Sequence, residues 1–142
     1  MKKDFSALSF SEKERICESI FISHGPYWHI YTDGTMMQNI FISKEDFIIG
    51  MWCLAAARHL CKSVRAITFE LMSNHVHLIL AGTKEDCIKV FDLFAARLKK
   101  AFPRRQHAID WSKFKMDILP IESLQALSNE IIYTNRNAFV TN

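Results

Sequence analysis

The segment Met72-Ser73-Asn74-His75-Val76-His77-Leu78-Ile79-Leu80 decides how the rest of the chain is interpreted. Its second half is an uninterrupted apolar run, which predicts a β-strand, and the pair Ser73-Asn74 predicts a turn before it. Side chains in a strand alternate between its two faces. His75 and His77 therefore share one face, while the apolar residues that alternate with them point into a core on the other face. Two imidazoles side by side form half of a metal site.

The composition limits the classes of protein to which the chain can belong. With 142 residues, 49% of them hydrophobic and 23% charged, the chain is long and apolar enough to bury a core, and we expect one domain, residues 1–142. A net charge of +3 permits a nucleic-acid partner without requiring one. The 4 cysteines form no C-x-x-C pair, which argues against a zinc ribbon. We see no signal peptide and no apolar stretch of ~20 residues, so we expect a cytoplasmic protein with no membrane partner.

The hydrophobic pattern predicts four helices and up to four strands. The first helix is expected over residues 9–22, with Ser11 as its N-cap and Glu14 completing a capping box. Its apolar side is expected to consist of Ile16, Ile20 and Phe21. The elements that follow are expected in this order: a strand over 27–32, a helix over 43–61 capped by Ser43 with Asp46 at its third position, a strand over 63–71 that forms a hairpin with the histidine strand, a helix over 85–102, a strand near 115–119, and a helix over 121–136 opened by Pro120. The helix over 85–102 is expected to bury one apolar stripe, formed by Val90, Phe91, Phe94, Leu98 and Phe102. Helices packed against an antiparallel sheet in this order are typical of an α+β, ferredoxin-like sandwich.

The last helix supplies two further polar residues of interest. At 100° per residue its apolar side chains fall within one narrow stripe. The members of that stripe are Leu124, Leu127, Ile131 and Thr134. Tyr133 lies nearly opposite the stripe, and Asn137 follows four residues later on the same face of the helix. A tyrosine and an asparagine placed together away from the core stripe can face solvent or a second surface.

Together these residues define a candidate site for phosphate chemistry. The two neutral imidazoles of His75 and His77 and the amide oxygen of Asn137 suit Mg²⁺ or Mn²⁺, with positions left open for a phosphate oxygen and water. Tyr133, one helical turn from a ligand, would lie next to that phosphate. Attack by its phenolate on phosphorus gives a covalent phosphotyrosine, with the metal ion acting as a Lewis acid.

The motif Met-x-Asn-His-Val-His-Leu-x-Leu resembles the signature of the single-tyrosine HUH transposases, which include insertion-sequence single-strand transposases and REP-associated tyrosine transposases. In that family the two histidines bind the metal, which carries over to His75 and His77. A late helix in the family bears Tyr-x-x-x-Asn, the nucleophile and the third ligand, which fits Tyr133 and Asn137. The resemblance covers about residues 25 to 140, which are expected to form the core of the domain.

The resemblance implies a fold of the HUH endonuclease type and a specific activity. That activity is metal-dependent cleavage and transfer of single-stranded DNA in transposition, through a covalent 5′-phosphotyrosine intermediate. The implied partner is single-stranded or hairpin DNA, and the resemblance leaves both a monomer and a homodimer open.

Two other hypotheses remain. Asp33 stands where the family often has an arginine, and many relatives continue beyond the position of Asn142, so the chain could be a non-catalytic, domesticated or decayed DNA-binding relative. The third hypothesis is a small metal-dependent phosphoesterase, which would need an acidic general base near the metal. Glu70, just before the histidine strand, is the candidate for that base.

Basic residues cluster at the end of the third helix. They are Arg97, Lys99, Lys100, Arg104 and Arg105. Such a run is either the solvated end of a helix, where cations also complement the helix dipole, or a track that binds DNA phosphates. His29, His59 and His107 have no partner that the sequence identifies, and we expect structural or surface roles for them.

Overall fold

In the computed structural model the backbone is described for residues 4–102 and 109–140, and side chains within these ranges are described as far as residue 135. These residues form the α-helices α1 (Phe10–His24), α2 (Lys44–Leu60), α3 (Lys84–Ala101) and α4 (Leu124–Val140), and the strands β1 (Tyr27–Thr32), β2 (Arg65–Leu71), β3 (Val76–Ala81) and β4 (Met116–Ile121). Two short 3₁₀ helices span Phe5–Ala7 and Trp111–Lys113. Within the described ranges, no helix combines the length and the apolar character needed to cross a membrane.

The four strands form one antiparallel sheet in the order β2-β3-β1-β4. Chain order from β1 to β4 is strand, helix α2, strand, strand, helix α3, strand, which is the ferredoxin-like arrangement. Helix α1 precedes this unit and helix α4 follows it. The predicted α+β, ferredoxin-like fold class is therefore confirmed, and so is the hairpin between β2 and the histidine strand.

The main core lies between one face of the sheet and helices α2 and α3. Ile30, Leu78 and Leu80 are fully buried from the strand side. The predicted apolar stripe of α3 is confirmed, since each of its members is buried against this face. They are Val90, Phe91, Phe94, Leu98 and Phe102. Burial of these side chains supplies the main favourable term for folding.

The other face of the sheet carries α4, which packs against β2 and β3 and contacts α1. A smaller apolar cluster holds it there, formed by Tyr27, Ile79, Ala81, Ile121 and Leu127. Thr68 on β2 adds a polar contact, because its hydroxyl donates to Asn135 Oδ1 at 3.3 Å. Helix α4 is therefore fixed over the face of β3 that lies away from the main core.

The predicted start of the first helix is wrong. Helix α1 begins at Phe10, and its N-cap is Ser9, whose hydroxyl accepts from the Glu12 N–H at 3.2 Å. Ser11 already lies inside the helix. The predicted apolar side is also largely exposed, with Ile16 at 37% and Ile20 at 52%. The pair Ser11 and Glu14, two residues later in the sequence, has the same residue types as Ser9 and Glu12, so the pattern does not distinguish the two starts.

The role predicted for Pro120 is also wrong. Pro120 lies within β4, opposite Trp28 of β1, and α4 begins only at Leu124. β4 is an edge strand that pairs with β1 alone. A proline without an N–H group is tolerated there, because one side of an edge strand makes no ladder hydrogen bonds. The capping contact of α4 comes from Ser123, whose hydroxyl accepts from the Ala126 N–H at 3.0 Å.

Gly50 lies where α2 packs closely against the loop that precedes it. A Cβ added at Gly50 would lie 2.5 Å from Cε1 of Phe41 and 3.0 Å from Cδ1 of Leu71. Phe41 is only 1% exposed, so its ring has little room to move. We expect Gly50→Ala to lower the free energy of unfolding by about 1–3 kcal/mol through overpacking, measured by urea denaturation.

This expectation opposes helix propensity, which favours alanine over glycine by roughly 1 kcal/mol in a helix interior. The matched background is Phe41→Leu, which removes the crowding ring. In that background Gly50→Ala should cost less than in the wild type, so that the two substitutions are not additive. A stabilising Gly50→Ala in the wild-type background would contradict the packing argument.

Candidate active site

The turn before β3 is held by the loop that follows β1. The amide nitrogen of Asn74 donates to the carbonyls of Gly34 at 2.9 Å and Met37 at 3.1 Å. Two backbone N–H groups farther along the same loop donate to the Ser73 carbonyl at 2.7 and 3.0 Å. A Cβ at Gly34 would lie 2.6 Å from Asn74 Oδ1 and 2.9 Å from His75 Nδ1. The absence of a side chain at Gly34 therefore makes room for the asparagine and the histidine.

Asn74 also determines which ring nitrogen of His75 carries the proton. Because the Asn74 amide nitrogen donates to two carbonyls, its Oδ1 is the acceptor that lies 2.8 Å from His75 Nδ1. Nδ1 of His75 is then the donor, and Nε2 keeps its lone pair. This is the tautomer in which a neutral imidazole can bind a metal through Nε2.

His77 lies at the centre of a group of rings on the α4 face of the sheet. The His75 ring is 5.4 Å from the His77 ring between centroids, and Tyr31, directly opposite on β1, is at 6.2 Å. Nδ1 of His77 lies 3.0 Å from Nε2 of His29. Nδ1 of His29 lies in turn 3.2 Å from Oε2 of Glu130 on α4.

Tyr133 is brought to the same group by α4. Its ring meets the His77 ring edge to face, with 6.4 Å between the centroids and 84° between the planes. The Tyr133 side chain is 55% exposed, whereas the next residue, Thr134, is fully buried. The Thr134 hydroxyl has no hydrogen-bond partner within the described ranges. Helix α4 thus presents the tyrosine beside the histidine and open to solvent.

The three histidines of the site are held in the neutral form by their surroundings. Burial, together with the nearby His29 and His75, lowers the pKa of His77 to about 4. Burial lowers the pKa of His75, an effect that Asp33 partly opposes. Burial likewise lowers the pKa of His29, and Glu130 partly opposes it. Neutral imidazole is the form that binds metal ions.

Two of the three predicted metal ligands, His75 and His77, lie within the described residues, and their separation is compatible with one divalent ion. The ring centroids of His75 and His77 are 5.4 Å apart, a separation that two histidine nitrogen–metal bonds of about 2.1 Å can span. Neither Nε2 atom has a hydrogen-bond partner in residues 4–102 or 109–135. Asn137 follows Tyr133 by one turn of α4, and its side chain lies outside the described residues. Within the described ranges, no three His, Cys, Asp or Glu side chains are arranged to hold a metal. The predicted set of two imidazoles and one amide stays a prediction.

The basic residues of α3 lie apart from this group. Arg97, Lys99 and Lys100 are exposed at the end of α3, in the helical layer on the opposite face of the sheet from α4. Arg104 and Arg105 fall in the range 103–108, outside the described residues. A role for this cluster in DNA binding stays a prediction.

Sequence reasoning missed His29, Tyr31 and Glu130. The sequence identified no partner for His29, whose side chain is buried between His77 and Glu130. The signal available was strand alternation, which places Tyr27, His29 and Tyr31 on one face of β1. Only the register between β1 and β3 shows that this face is the one that carries His77.

The comparisons with known proteins find similarity in structure alone. No protein-family profile and no curated protein matches the chain by sequence. A REP-associated tyrosine transposase bound to a REP hairpin superimposes with a TM-score of 0.63 at 9% identity, over 80% of this chain and 67% of that one. A protein of Deinococcus radiodurans assigned as a transposase superimposes with a TM-score of 0.51 at 17% identity, over 77% of this chain and 88% of that one.

The chain shares the fold of these two transposases, one of which is a REP-associated tyrosine transposase. This agrees with the family that the histidine motif resembles. At these identities the similarity establishes the fold alone, because one fold can support different chemistries.

The lowered pKa of His77 predicts how stability changes with pH. A histidine in the unfolded chain protonates near 6.5, whereas burial lowers the pKa of folded His77 to about 4. Between these values the unfolded chain binds a proton that folded His77 does not. The free energy of unfolding of the metal-free protein should therefore fall as pH is lowered from about 6.5 toward about 4.

His77→Gln should make this fall less steep, and the remainder should reflect His29 and His75, whose pKa values are also lowered. Urea denaturation at a series of pH values measures the slope. Equal slopes for wild type and His77→Gln would show that His77 protonates alike in both states.

Proposed function

We propose that the protein is a metal-dependent single-strand DNA endonuclease and strand transferase, a single-domain transposase that works through a covalent 5′-phosphotyrosine. One observation carries this proposal. Tyr133 on α4 lies beside His77 on β3, with 6.4 Å between ring centroids, although 55 residues separate the two along the chain. An exposed tyrosine beside the imidazole of His77, which itself lies next to that of His75, combines a nucleophile with predicted metal ligands.

Each residue has one role in this proposal. His75, His77 and Asn137 would hold Mg²⁺ or Mn²⁺, which supplies Lewis-acid assistance at the scissile phosphate. Asn74 holds His75 with its Nε2 lone pair available. Tyr133, exposed at the rim of the site, is accessible to a DNA strand.

In the cleavage step, the phenolic oxygen of Tyr133 forms a bond to phosphorus and the bond from phosphorus to the 3′ oxygen breaks. Tyr133 gives up its phenolic proton, and the departing 3′ oxygen takes up a proton. The products are a DNA strand joined through its 5′ phosphate to Tyr133 and a strand with a free 3′ hydroxyl. The phosphodiester energy is retained in the phosphotyrosine bond, so a 3′ hydroxyl can reverse the step and join a new strand.

Hairpin DNA is the proposed substrate because a protein with the same fold binds a DNA hairpin. The REP-associated tyrosine transposase with this fold binds a REP hairpin. The net charge of +3 is compatible with a DNA partner. The first probe is therefore a pool of DNA hairpins with randomised single-stranded flanks.

Tyr133→Phe tests the nucleophile, and Tyr31→Phe is its matched control, since the Tyr31 ring is similarly close to His77 at 6.2 Å. With Mn²⁺ and DNA labelled at its 3′ end, the wild type should give a labelled protein band on a denaturing gel. Tyr133→Phe should lose this adduct and all cleavage but keep DNA affinity, whereas Tyr31→Phe should keep the adduct. EDTA should abolish adduct formation.

The outcomes separate the hypotheses. Cleavage by Tyr133→Phe at the wild-type rate would overturn the proposed mechanism. Loss of the adduct in Tyr31→Phe but not in Tyr133→Phe would assign the nucleophile to β1. Hairpin binding by the wild type without any adduct would instead support a non-catalytic DNA-binding relative.

One observation favours a second candidate, the phosphoesterase. Glu70 pairs with His77 across β2 and β3, so the two side chains lie on one face of the sheet. Burial raises the pKa of Glu70, which moves it toward the range useful in acid–base catalysis. Turnover of bis(p-nitrophenyl) phosphate that survives Tyr133→Phe and is lost in Glu70→Gln would support this candidate.

A further inference from the structure

Three side chains from three elements form a continuous chain of polar contacts that ends at a predicted metal ligand. Glu130 on α4 contacts Nδ1 of His29 on β1 at 3.2 Å, and Nε2 of His29 contacts Nδ1 of His77 on β3 at 3.0 Å. His29 is 7% exposed, so water has little access to the middle of this chain. The other predicted histidine ligand, His75, has an equivalent support in Asn74 at 2.8 Å.

Donor and acceptor chemistry allows one proton arrangement along this chain when all three groups have their usual charges. An ionised carboxylate only accepts, so the proton of neutral His29 lies on Nδ1, facing Glu130. Nε2 of His29 is then an acceptor, and the proton of His77 lies on Nδ1, facing His29. The lone pair of His77 is left on Nε2.

We propose that Glu130 and His29 are positioning residues that hold His77 in its Nδ1-protonated tautomer, so that Nε2 is free to bind a divalent ion. This inference rests on the proposed function, because it assigns a purpose to a ligand of the proposed metal site. The chain fixes both the orientation of the ring and the nitrogen that carries the lone pair. Partners of this kind raise metal affinity typically 10- to 100-fold.

Glu130 lies on the same helix as the proposed nucleophile, Tyr133, so the positions of the nucleophile and of the ligand His77 depend on one helix. Glu130 precedes Tyr133 by three residues, so the two lie on neighbouring turns of α4. Docking of α4 on the sheet therefore brings the carboxylate to His29 and the tyrosine to His77 together. Removal of the Glu130 carboxylate would disturb His77 while leaving the tyrosine in the same helix.

The proton positions can be measured directly in the metal-free protein by long-range ¹H–¹⁵N NMR of the histidine rings. In the wild type, His29, His75 and His77 should each carry the proton on Nδ1. In Glu130→Ala, His29 loses its acceptor and can place its proton on Nε2, where it donates to His77 Nδ1. His77 should then shift to the Nε2-protonated tautomer, while His75, held by Asn74, should not change.

Binding of Mn²⁺ alone, followed by calorimetry, gives the second readout. Glu130→Ala should weaken Mn²⁺ affinity about 10- to 100-fold. Glu130→Gln keeps a carbonyl oxygen that can accept from His29 and should retain most of the affinity. Asn129→Ala is the matched control on the exposed side of α4 and should change neither the tautomer of His77 nor the affinity.

His29→Leu is a second variant, expected to release His77 from the Nδ1-protonated form. If the buried substitution prevents folding, Glu130→Ala, with a side chain that is 36% exposed in the wild type, still decides the question. A wild-type His77 that carries its proton on Nε2, or a Glu130→Ala variant with unchanged His77 tautomer and unchanged Mn²⁺ affinity, would overturn the inference. These measurements involve neither DNA nor cleavage, so the inference can fail while the proposed nucleophile stands, and the reverse.

Discussion

The structure depends on β3 having two faces of opposite character at the centre of the sheet. One face carries fully buried aliphatic side chains that pack against α2 and α3. The other face carries His77 first and then Ile79 and Ala81, which support α4. A shift of one residue in the strand register would exchange these faces and place an imidazole in the main core. The requirement to bury the aliphatic face therefore also fixes the histidine on the α4 side.

Much of the fold follows from patterns within single elements. The aromatic and β-branched residues of β1, the apolar run of β3 and the apolar stripe of α3 each predict an observed element, and the Ser43 capping box correctly marks the start of α2. These features depend on residues that are near one another in sequence, so their physical causes are local. The errors at Ser11 and Pro120 occurred at element ends, where several residues can supply a cap and where an edge strand tolerates a proline.

The sequence alone was enough to select the two histidines and the tyrosine of the candidate site, because the histidine motif and the polar face of the last helix can be recognised without knowledge of the fold. Its supporting residues were not predictable. His29 contacts His77 only because β1 pairs with β3 in one register, and Glu130 contacts His29 only because α4 docks at one angle. Both facts depend on tertiary packing. Neither the composition nor the periodicity of these segments carries that information.

The buried hydroxyl of Thr134 has a consequence for the helix that carries Tyr133. A polar group that gives up its hydration without gaining a partner costs about 1–3 kcal/mol, and this one lies under α4 with no partner in residues 4–102 or 109–135. The docked state of α4 carries this cost, which is recovered when water reaches the hydroxyl. The helix with the nucleophile is therefore held to the sheet less firmly than its apolar contacts alone would hold it. Helix α3 carries no such cost in its buried stripe, where Val90, Phe91, Phe94 and Leu98 have no polar side-chain atoms.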